Sequence, residues 1–530
     1  MVLTPQSLSS LTAEQLRALA GDLITQIAYQ SEQHSQAIAS KDQELRRKDG
    51  ELKYRQAKID QLTHEMAVLK RWRFGRSREQ LDLAQLSLLD ETIDADIAAI
   101  EQELQALAPT PRTDTETGKP KRARLPAELH RVEIAHEPDS SVCTTPGCGC
   151  TLRRIGEDIS EKLDYTPGVF TVERHVRGKW ACAQTLTQAP VPAQVIDKGL
   201  PTAGLLAQVL VGKFADHLPL YRQEGIFARA GFGIARSTLG AWVGLCGVQL
   251  QPLVDALKEE ILGHAVMHAD ETPVAMLKPG NGKTHRAYLW AYAPGAFEDL
   301  RAVVYDFCES RAGAHARSFL GDWNGALVTD DYAGYKMGFA NGVTEVGCMA
   351  HARRKFFELH VSSKSQIAQQ ALQYIAQLYD VEREVKHLAA DDRRQVRQIK
   401  SKPLADAMHA WMMLQRQKIL DGSATAKALD YSLRRWGALT RFLENGQLPI
   451  DNNWVENQIR PIAIGRGNWL FAGSLRAGQR AAAIMSLIQS ARLNGHDPYA
   501  YLKDVLTRLP THKNSQIKEL LPHRWQPAPQ

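Results

Sequence analysis

Residues 265–277 read AVMHADETPVAML, an apolar, β-rich run that holds a carboxylate in its interior. Three more β-rich runs follow, RAYLWAYA at 286–293, RAVVYDFC at 301–308 and GALVTDDYAGY at 325–335. Turn-like segments separate the first three runs, and a helical stretch at 314–323 precedes the fourth. This order predicts three strands in a meander, then a helix and a further strand.

Such an order is that of an RNase-H-like sheet. Asp270 lies within the first strand, between Met267 and Val274. A carboxylate there costs several kcal/mol to desolvate unless a cation or hydrogen bonds compensate. Asp330 ends the fourth strand, and Asp331 should point the other way because side chains alternate. If the first and fourth strands are neighbours, Asp270 and Asp330 converge at one edge.

A third carboxylate is expected from the segment PIDNNWVENQIRPIAIG. The pattern predicts a helix that begins near Asp451 or Asn452 and ends at Pro461. Asn452, Glu456 and Arg460 then share one helix face, because they are spaced four residues apart. Glu456 therefore stands on a polar face, which favours a functional site over a packed core.

A helical insertion is predicted at 360–446, between the second and third acids. Apolar residues there recur at steps of four and three, at Ile367, Ala371, Tyr374, Leu378, Val381, Val385 and Leu388.

Three acids in this arrangement suit phosphodiester cleavage, since two-metal catalysis needs carboxylates to hold the ions about 3.5–4 Å apart. Hard oxygen ligands favour Mg²⁺ or Mn²⁺ over Zn²⁺. Any one of these acids has a simpler interpretation as a strand-end or helix-cap residue. Only the three together predict a metal site.

In the N-terminal region, Thr12 and Gln15 are predicted to form a capping box that opens a helix. A seven-residue apolar repeat indicates one row of a coiled-coil seam, at Ile38, Leu45, Leu52, Ile59 and Met66. Gly50 interrupts the pattern, so the prediction is a short, imperfect dimerising helix. The alternative is a charged helix that packs on its own domain.

A basic segment follows this helix, LKRWRFGRSREQLD at 69–82. Its cations include Arg73 and Arg76, and they surround Trp72 and Phe74. This mixture suits contact with the DNA backbone and stacking on bases. A basic helix end that packs one Trp explains it nearly as well.

Four cysteines fall in a small β-rich unit, at Cys143, Cys148, Cys150 and Cys182. Four thiolates can hold a structural zinc ion. The spacing is irregular, however, because the first pair is C-x4-C and Cys182 has no nearby partner. The cysteine spacing therefore leaves zinc binding open.

Residues 199–262 are helical throughout, with a glycine-containing turn and Ser237 or Thr238 near the N-cap of the last helix. A DNA-binding helix-turn-helix and an ordinary helical hairpin both fit this pattern.

Bulk properties restrict the class of protein. The formal net charge is +6 and the pI is about 8.8, a mild excess that fits contact with a polyanion. The sequence contains no apolar run of about 18 residues, and its start lacks the pattern of a signal peptide. We expect a cytoplasmic protein without a membrane segment.

Several stretches closely resemble the DDE transposases of the insertion-sequence-66 family. They are HADETP, TDDYAGY, CMAHARRKFFEL, DNNWVENQIRPIAIGRGNWLFAGS, FGRSREQLD, RIGEDISEKLDY, KFADHLPLYRQEGIFAR and SARLNGHDPYAYLKDVLTRLP. The resemblance extends over nearly the whole chain, in family order.

This resemblance implies a catalytic triad of Asp270, Asp330 and Glu456 that holds two Mg²⁺ or Mn²⁺ ions. Asp331 stands where the family usually has Gly, so it competes with Asp330 as the second ligand. Cys348 and His351 match a C-x2-H signature of similar transposases. The implied DNA-binding residues near the cut are Arg353, Arg354, Lys355, Arg460, Arg466 and Trp469.

The resemblance also implies a bacterial insertion-sequence transposase that binds element ends, cuts them and joins the freed 3′-hydroxyl to target DNA. A homodimer or higher oligomer and small accessory proteins of the same element are its expected partners. The alternatives are an RNase-H-like nuclease without strand transfer and a transposase-derived DNA-binding protein without catalysis.

The predicted fold class is multidomain α+β, with an RNase-H-like core that carries a helical insertion and follows coiled-coil, zinc-finger-like and helical DNA-binding regions. The predicted parts are an N-terminal helical region with a basic segment at 1–107, a linker at 108–126, a zinc-finger-like β unit at 127–198, a helix-turn-helix-like unit at 199–262, the first part of the core at 263–359, the insertion at 360–446, the Glu-bearing segment at 447–490 and a C-terminal tail at 491–530.

Overall fold

The computed structural model describes residues 12–74, 83–107, 125–138, 140–146, 148–166, 168–196, 199–278 and 284–527. The chain divides into two compact units, one formed by 1–71 with 103–113 and the other by 72–102 with 114–530. The described residues are mixed α and β, with strands in two sheets. No helix among them is both long and apolar enough to cross a bilayer.

Helix α1 (Ala13–Phe74) is a single helix of 62 residues that begins directly after Thr12. It spans roughly 90 Å at 1.5 Å per residue. The prediction that Gly50 interrupts the helix is wrong, since α1 passes through it. An exposed glycine costs only about 1 kcal/mol in a helix, and ion pairs one turn apart, such as Arg47–Glu51 at 2.7 Å, support the neighbouring turns.

The predicted coiled-coil row lies on α1. Ile38, Leu45 and Leu52 are each 61% exposed. Of the predicted basic residues that follow, Arg76 lies outside the described residues, and the side chain of Arg73 is likewise not among those described.

The first sheet belongs to the predicted zinc-finger-like unit. Its strands are β1 (His130–His136), β2 (Arg153–Thr166), β3 (Val169–Ala181) and β4 (Leu186–Gln188). The long β2–β3 hairpin is antiparallel, β1 pairs parallel with β3, and β4 pairs with the end of β3. Because β3 ends at Ala181, the hairpin returns Cys182 to the loop that carries the other three cysteines.

Three helices follow, α3 (Ala203–Phe214), α4 (Leu220–Arg229) and α5 (Arg236–Leu262). Ser237 and Thr238 lie near the start of α5 as expected, but the N-cap residue is Ala235, whose side chain makes no capping bond. The N–H of Arg236 instead donates to Oε1 of Glu224, on the preceding helix, at 3.1 Å. A side chain from a neighbouring helix thus satisfies a free N–H of the first turn.

The second sheet begins with β5 (Val266–Met276), which contains the AVMHADETPVAML run. The other strands and the helices between them are β6 (His285–Pro294), β7 (Val304–Cys308), α6 (Gly313–Leu320), β8 (Ala326–Thr329), α7 (Lys336–Ala340) and β9 (Thr344–Gly347). The order across the sheet is β7-β6-β5-β8-β9. Strands β5, β6 and β7 are antiparallel, whereas β8 and β9 run parallel to β5. The expectation that the first and fourth strands are neighbours is confirmed.

Helix α8 (Met349–Ser363) follows β9, and the predicted insertion is helical. Its helices are α9 (Gln366–Val385), α10 (Ala390–Val396), α11 (Lys402–Gln417), α12 (Ala424–Arg434) and α13 (Trp436–Thr440). Helices α8, α9, α11, α12 and α13 contribute to an apolar core that is distinct from the main one. Arg397, fully buried, links them because its guanidinium pairs with Glu382 at 2.6 Å and donates to the carbonyl of Phe442 at 2.8 Å.

The chain closes with α14 (Asn453–Gly465), α15 (Leu475–Leu493) and α16 (Pro498–Arg508). The prediction that the Glu456 helix ends at Pro461 is wrong, since α14 continues through it to Gly465. Proline removes one helical hydrogen bond, to the carbonyl four residues earlier. That carbonyl belongs to Asn457, an exposed residue whose backbone can bond to water.

Helix α2 (Leu83–Leu107) lies before the linker, yet its residues up to 102 belong to the second unit. Glu91, with its side chain 2% exposed, accepts hydrogen bonds from the backbone N–H groups of Leu220 at 3.2 Å and Tyr221 at 2.8 Å. It thereby caps the start of α4, whose own N-cap residue is Pro219. Lys213 Nζ lies 3.3 Å from the same carboxylate.

Asp96 makes the second buried contact of α2. Its carboxylate accepts from Arg480 Nη2 at 2.9 Å and from the hydroxyl of Ser474, the N-cap residue of α15. The backbone of α2 approaches α5 so closely at Gly244 that a Cβ there would overlap the carbonyl oxygen of Ala95. Residues 83–102 are therefore an integral part of the second unit.

Replacing Asp96 with alanine should lower the free energy of unfolding by about 3–5 kcal/mol, because Arg480 keeps a buried charge without its partner. Denaturant titration followed by circular dichroism measures the change. Asp406→Ala removes a 62%-exposed acid paired with Lys402 one turn away, and it should cost no more than about 0.5 kcal/mol. Equal effects of the two substitutions would contradict the docking role of Asp96.

Candidate active site

Strand β5 places Asp270 beside the end of β8. The parallel register pairs His268 with Val328. Continued by two residues, it puts Asp270 level with Asp330, which directly follows β8. Asp330 is 21% exposed, and its Oδ1 accepts the N–H of Tyr332 at 2.8 Å. Asp270, in the interior of β5, and Asp330, just past the end of β8, are therefore level with each other on neighbouring parallel strands.

The neighbouring Asp331 has a different environment. Its side chain is 42% exposed, and its Oδ1 lies 3.4 Å from Arg435 Nε and 4.0 Å from Lys336 Nζ. These contacts direct it toward the insertion, in agreement with the expected alternation. The geometry favours Asp330 over Asp331 as the acid that faces Asp270.

Asn452 ties the helix that carries Glu456 to the strand that carries Asp270. Its fully buried amide bonds β5 twice, through Oδ1 to Nδ1 of His268 at 2.8 Å and through Nδ2 to the carbonyl of Ala269 at 2.9 Å. The backbone N–H of Glu456 donates to the carbonyl of Asn452 at 3.2 Å. Glu456 therefore lies one helical turn after Asn452, whose side chain is bonded to the residue before Asp270.

The pKa of Asp270 reports this crowding of acids. Burial raises it well above its usual value, and the charges of Glu271, Glu456 and Asp330 raise it further. Like charges that share a site disfavour ionisation unless a cation balances them. Asp330 and Glu456 therefore both lie near enough to Asp270 to disfavour its charge.

Glu271 lies on the opposite face of β5, as alternation predicts, and its side chain is only 1% exposed. Arg311 bonds its carboxylate through Nε at 2.7 Å, and the Tyr335 hydroxyl donates to Oε2 at 2.9 Å. The same guanidinium lies 3.9 Å from Oδ2 of Asp330. The sequence did not predict a role for Arg311. The only signal for it is the pair of adjacent acids at 270 and 271 in an apolar strand, since buried carboxylates require a cationic partner.

Helix α8 brings a histidine and a basic cluster to the third acid. His351 Nδ1 lies 3.7 Å from Oε1 of Glu456, and Arg354 Nη2 lies 3.8 Å from Oε2. Arg353, Arg354 and Lys355 are all exposed. Burial lowers the pKa of His351, partly opposed by the charge of Glu456, so the imidazole is mainly neutral at pH 7.

The predicted DNA-binding residues that follow Glu456 differ in their exposure and in their contacts within the protein. Arg460 is exposed on α14. Arg466 Nη1 instead bonds the Thr272 hydroxyl at 3.1 Å and the Pro273 carbonyl at 2.5 Å. Trp469 is partly buried, and its indole Nε1 lies 3.4 Å from His217 Nδ1. Arg466 therefore supports the second half of β5, whereas Trp469 contacts the segment between α3 and α4.

The four predicted zinc ligands come together away from these acids. The Sγ atoms of Cys143, Cys148, Cys150 and Cys182, the four-cysteine cluster, all lie within 4.8 Å of one another. The irregular spacing is resolved by the β2–β3 hairpin, which supplies the fourth thiol. Four thiols in one cluster fit a zinc-finger site.

Comparison with known families gives matches along most of the chain. The model described as "Transposase IS66 family" matches residues 198–480, more than half of the chain. The chain belongs to the IS66 transposase family. Three further models of this family match, its leucine-zipper and homeodomain region at 61–134, its zinc-finger binding domain at 142–184 and its C-terminal element at 486–523. These domains indicate a transposase whose partner is DNA.

The chain is also similar to proteins of Sinorhizobium fredii that are named as uncharacterized. It is 36% identical to y4jD over 88% of this chain and 94% of that protein. It is 37% identical to y4qI over 89% of this chain and 90% of that protein. These relatives therefore extend the IS66 likeness over nearly the full length.

Replacing Asp270 with asparagine should stabilise the metal-free protein at neutral pH. Because the folded pKa is raised, stability is greatest below the unfolded value of about 3.9 and falls as pH rises through the folded pKa. Each tenfold change in proton affinity between the unfolded and folded states is worth about 1.4 kcal/mol. Thermal unfolding in chelator should show a higher Tm for Asp270→Asn, with a gap that narrows toward acid pH.

The matched control is Asp331→Asn, whose parent carboxylate is 42% exposed and close to Arg435. It should leave the Tm unchanged or lower it slightly. A lower Tm for Asp270→Asn at neutral pH would refute the electrostatic account of the site.

Proposed function

We propose that this protein binds the ends of a bacterial insertion sequence and catalyses metal-dependent DNA cleavage and strand transfer by a DDE mechanism. The observation that carries the proposal is the convergence of Asp270, Asp330 and Glu456 from β5, the end of β8 and α14. The strand order β7-β6-β5-β8-β9, with the last two strands parallel to β5, supports an RNase-H-like core. Membership of the IS66 family supports the reaction class.

The donor set of the triad suits two Mg²⁺ or Mn²⁺ ions, since all three residues offer hard carboxylate oxygens. When bound, such ions activate the attacking oxygen and stabilise the leaving one. Asp270, Asp330 and Glu456 would hold them. The raised pKa of Asp270 fits this role, because bound cations would favour the charged form of acids that repel one another.

The surrounding cations divide into two roles. Arg311, paired with Glu271, limits the negative charge beside Asp330 and so helps to position that acid. Arg353, Arg354 and Lys355 lie exposed on the helix that contacts Glu456, which suits them to bind DNA phosphates. Arg460 is an exposed candidate on the other side of Glu456.

The four-cysteine cluster would hold a structural Zn²⁺ ion as thiolates, which suits the family's zinc-finger domain. The exposed apolar row of α1 supports a dimer or higher oligomer through a coiled coil. Arg73 and Arg76 stay predicted DNA contacts, and small accessory proteins of the same element stay predicted partners.

An RNase-H-like nuclease without strand transfer would have the same three acids. Incubating labelled element ends with a target plasmid and magnesium distinguishes the two activities. Joined end–target products support the transposase, whereas cleaved ends without joined products support the nuclease.

Asp270→Asn, Asp330→Asn and Glu456→Gln should each abolish cleavage of element ends with magnesium or manganese while end binding is largely retained. Each substitution keeps the side-chain size but removes a charged ligand. Asp331→Asn is the matched control and should retain most of the activity. Cleavage assays and gel-shift binding on the same preparations measure both properties.

Full cleavage by the Asp270 or Glu456 variant would reject the triad. Loss of activity in Asp331→Asn with full activity in Asp330→Asn would show that Asp331, and not Asp330, is the second acid of the triad.

The double variant Leu45→Glu, Leu52→Glu should convert the full-length protein to a smaller assembly, because it places charges in the apolar row of α1. Glutamate and leucine have similar helix propensity, so the helix itself should persist. Light scattering at micromolar concentration measures the mass. Gln43→Glu adds a charge outside this row and should keep the parent mass; a monomeric parent protein would contradict the proposal.

A further inference from the structure

A second set of possible metal ligands lies at the edge of the triad. Cys348 is the N-cap residue of α8, His351 is in the first turn of that helix, and Glu456 reaches them from α14. One ligand atom of each residue lies within 4.8 Å of the other two. The Cys348 thiol is fully buried, whereas His351 and Glu456 are 21% and 22% exposed.

Two of these atoms are buried polar atoms with unused bonding capacity. Within the described part of the chain, Nδ1 of His351 and Oε1 of Glu456 make no hydrogen bond. They face each other at 3.7 Å, which is too long for a hydrogen bond. Buried polar atoms without partners are rare and call for an explanation. A cation held between them would satisfy both.

The donor set indicates the class of cation. A thiolate, an imidazole nitrogen and one carboxylate oxygen are the ligands that zinc prefers, whereas Mg²⁺ is bound by oxygen atoms. Three protein ligands leave one position of a tetrahedral zinc ion open, as in catalytic rather than structural sites.

We infer that Cys348, His351 and Glu456 form a binding site for zinc or a similar thiophilic divalent ion, separate from the four-cysteine cluster. The backbone N–H of Asn452 donates to Cys348 Sγ at 3.2 Å, which orients the sulfur as an outer-shell partner would. On binding, Cys348 exchanges its thiol proton for the metal–sulfur bond, and the proton passes to solvent.

This site shares Glu456 with the proposed triad, which gives it a regulatory consequence. A zinc ion on Glu456 would withdraw a ligand that Mg²⁺ needs. Zinc should therefore inhibit magnesium-dependent cleavage. That consequence rests on the proposed function, whereas binding of zinc does not.

The binding test counts zinc ions in the full-length protein by mass spectrometry, after treatment with chelator and reloading with ZnCl₂. Cys348→Ser and His351→Ala should each retain one ion fewer per chain than the parent protein. The triple variant Cys148→Ser, Cys150→Ser, Cys182→Ser is the reference, because it leaves one thiol in the four-cysteine cluster and should lose only the ion of that cluster. Equal zinc content in the parent, Cys348→Ser and His351→Ala would overturn the inference.

Replacing zinc with Co²⁺ provides a second readout, since cobalt–thiolate bonds absorb in the near ultraviolet. The triple variant Cys148→Ser, Cys150→Ser, Cys182→Ser should retain this absorption, and adding Cys348→Ser should abolish it. If Cys348→Ser fails to fold by circular dichroism, His351→Ala and Glu456→Gln decide the question. Each should weaken zinc binding at this site by at least about tenfold, and an unchanged affinity in both would reject the site.

The inhibition test compares magnesium-dependent cleavage with and without added zinc, each protein being referred to its own zinc-free rate. The parent should be strongly inhibited, and Cys348→Ser should resist. If the parent protein has no cleavage activity, the proposed function fails, but the ion count still decides whether the site exists. Zinc bound through Cys348 without inhibition would overturn the regulatory part alone.

Discussion

The buried amide of Asn452 is the interaction on which the arrangement of the acids depends. It bonds His268 and the carbonyl of Ala269, so a helix start is fixed to the central strand immediately before Asp270. Its backbone N–H donates to the sulfur of Cys348, the residue from which α8 begins. One residue thus joins three elements that are far apart in sequence. Because an unpaired buried amide or carbonyl costs about 1–3 kcal/mol, these bonds hold the geometry firmly.

Held this way, the acids oppose one another electrostatically. The raised pKa of Asp270 shows that its burial and the nearby carboxylates work against its charge. Arg311 offsets this locally, but its shortest contacts go to Glu271. The rest of the compensation must come from a bound cation or from protonation. The crowded acids therefore lower the free energy of unfolding at the place where the proposed chemistry needs negative charge, as is common at functional sites.

Local patterns could predict the strand around Asp270, the adjacency of Asp330 and a polar helix face at Glu456, because each depends on short-range periodicity. They could not predict the Asn452–His268 bond, whose partners are 184 residues apart. The stop expected at Pro461 failed because a helix tolerates one lost bond at an exposed carbonyl. The irregular spacing of the cysteines was misleading, since a long hairpin returns Cys182 to the cluster.

Helix α2 shows why sequence proximity is a poor guide to a folding unit. The family's main model begins at residue 198. Yet Asp96 pairs with Arg480 and with Ser474, and the loop before Ser474 joins β5 through the bond from the N–H of Ala472 to the carbonyl of Ala275 at 2.8 Å. A chain that began at 198 would leave Arg480 without its acid and uncover the glycine-lined face of α5. Residues 83–102 therefore belong to the unit that carries the acids, although they precede the zinc-finger sheet in sequence.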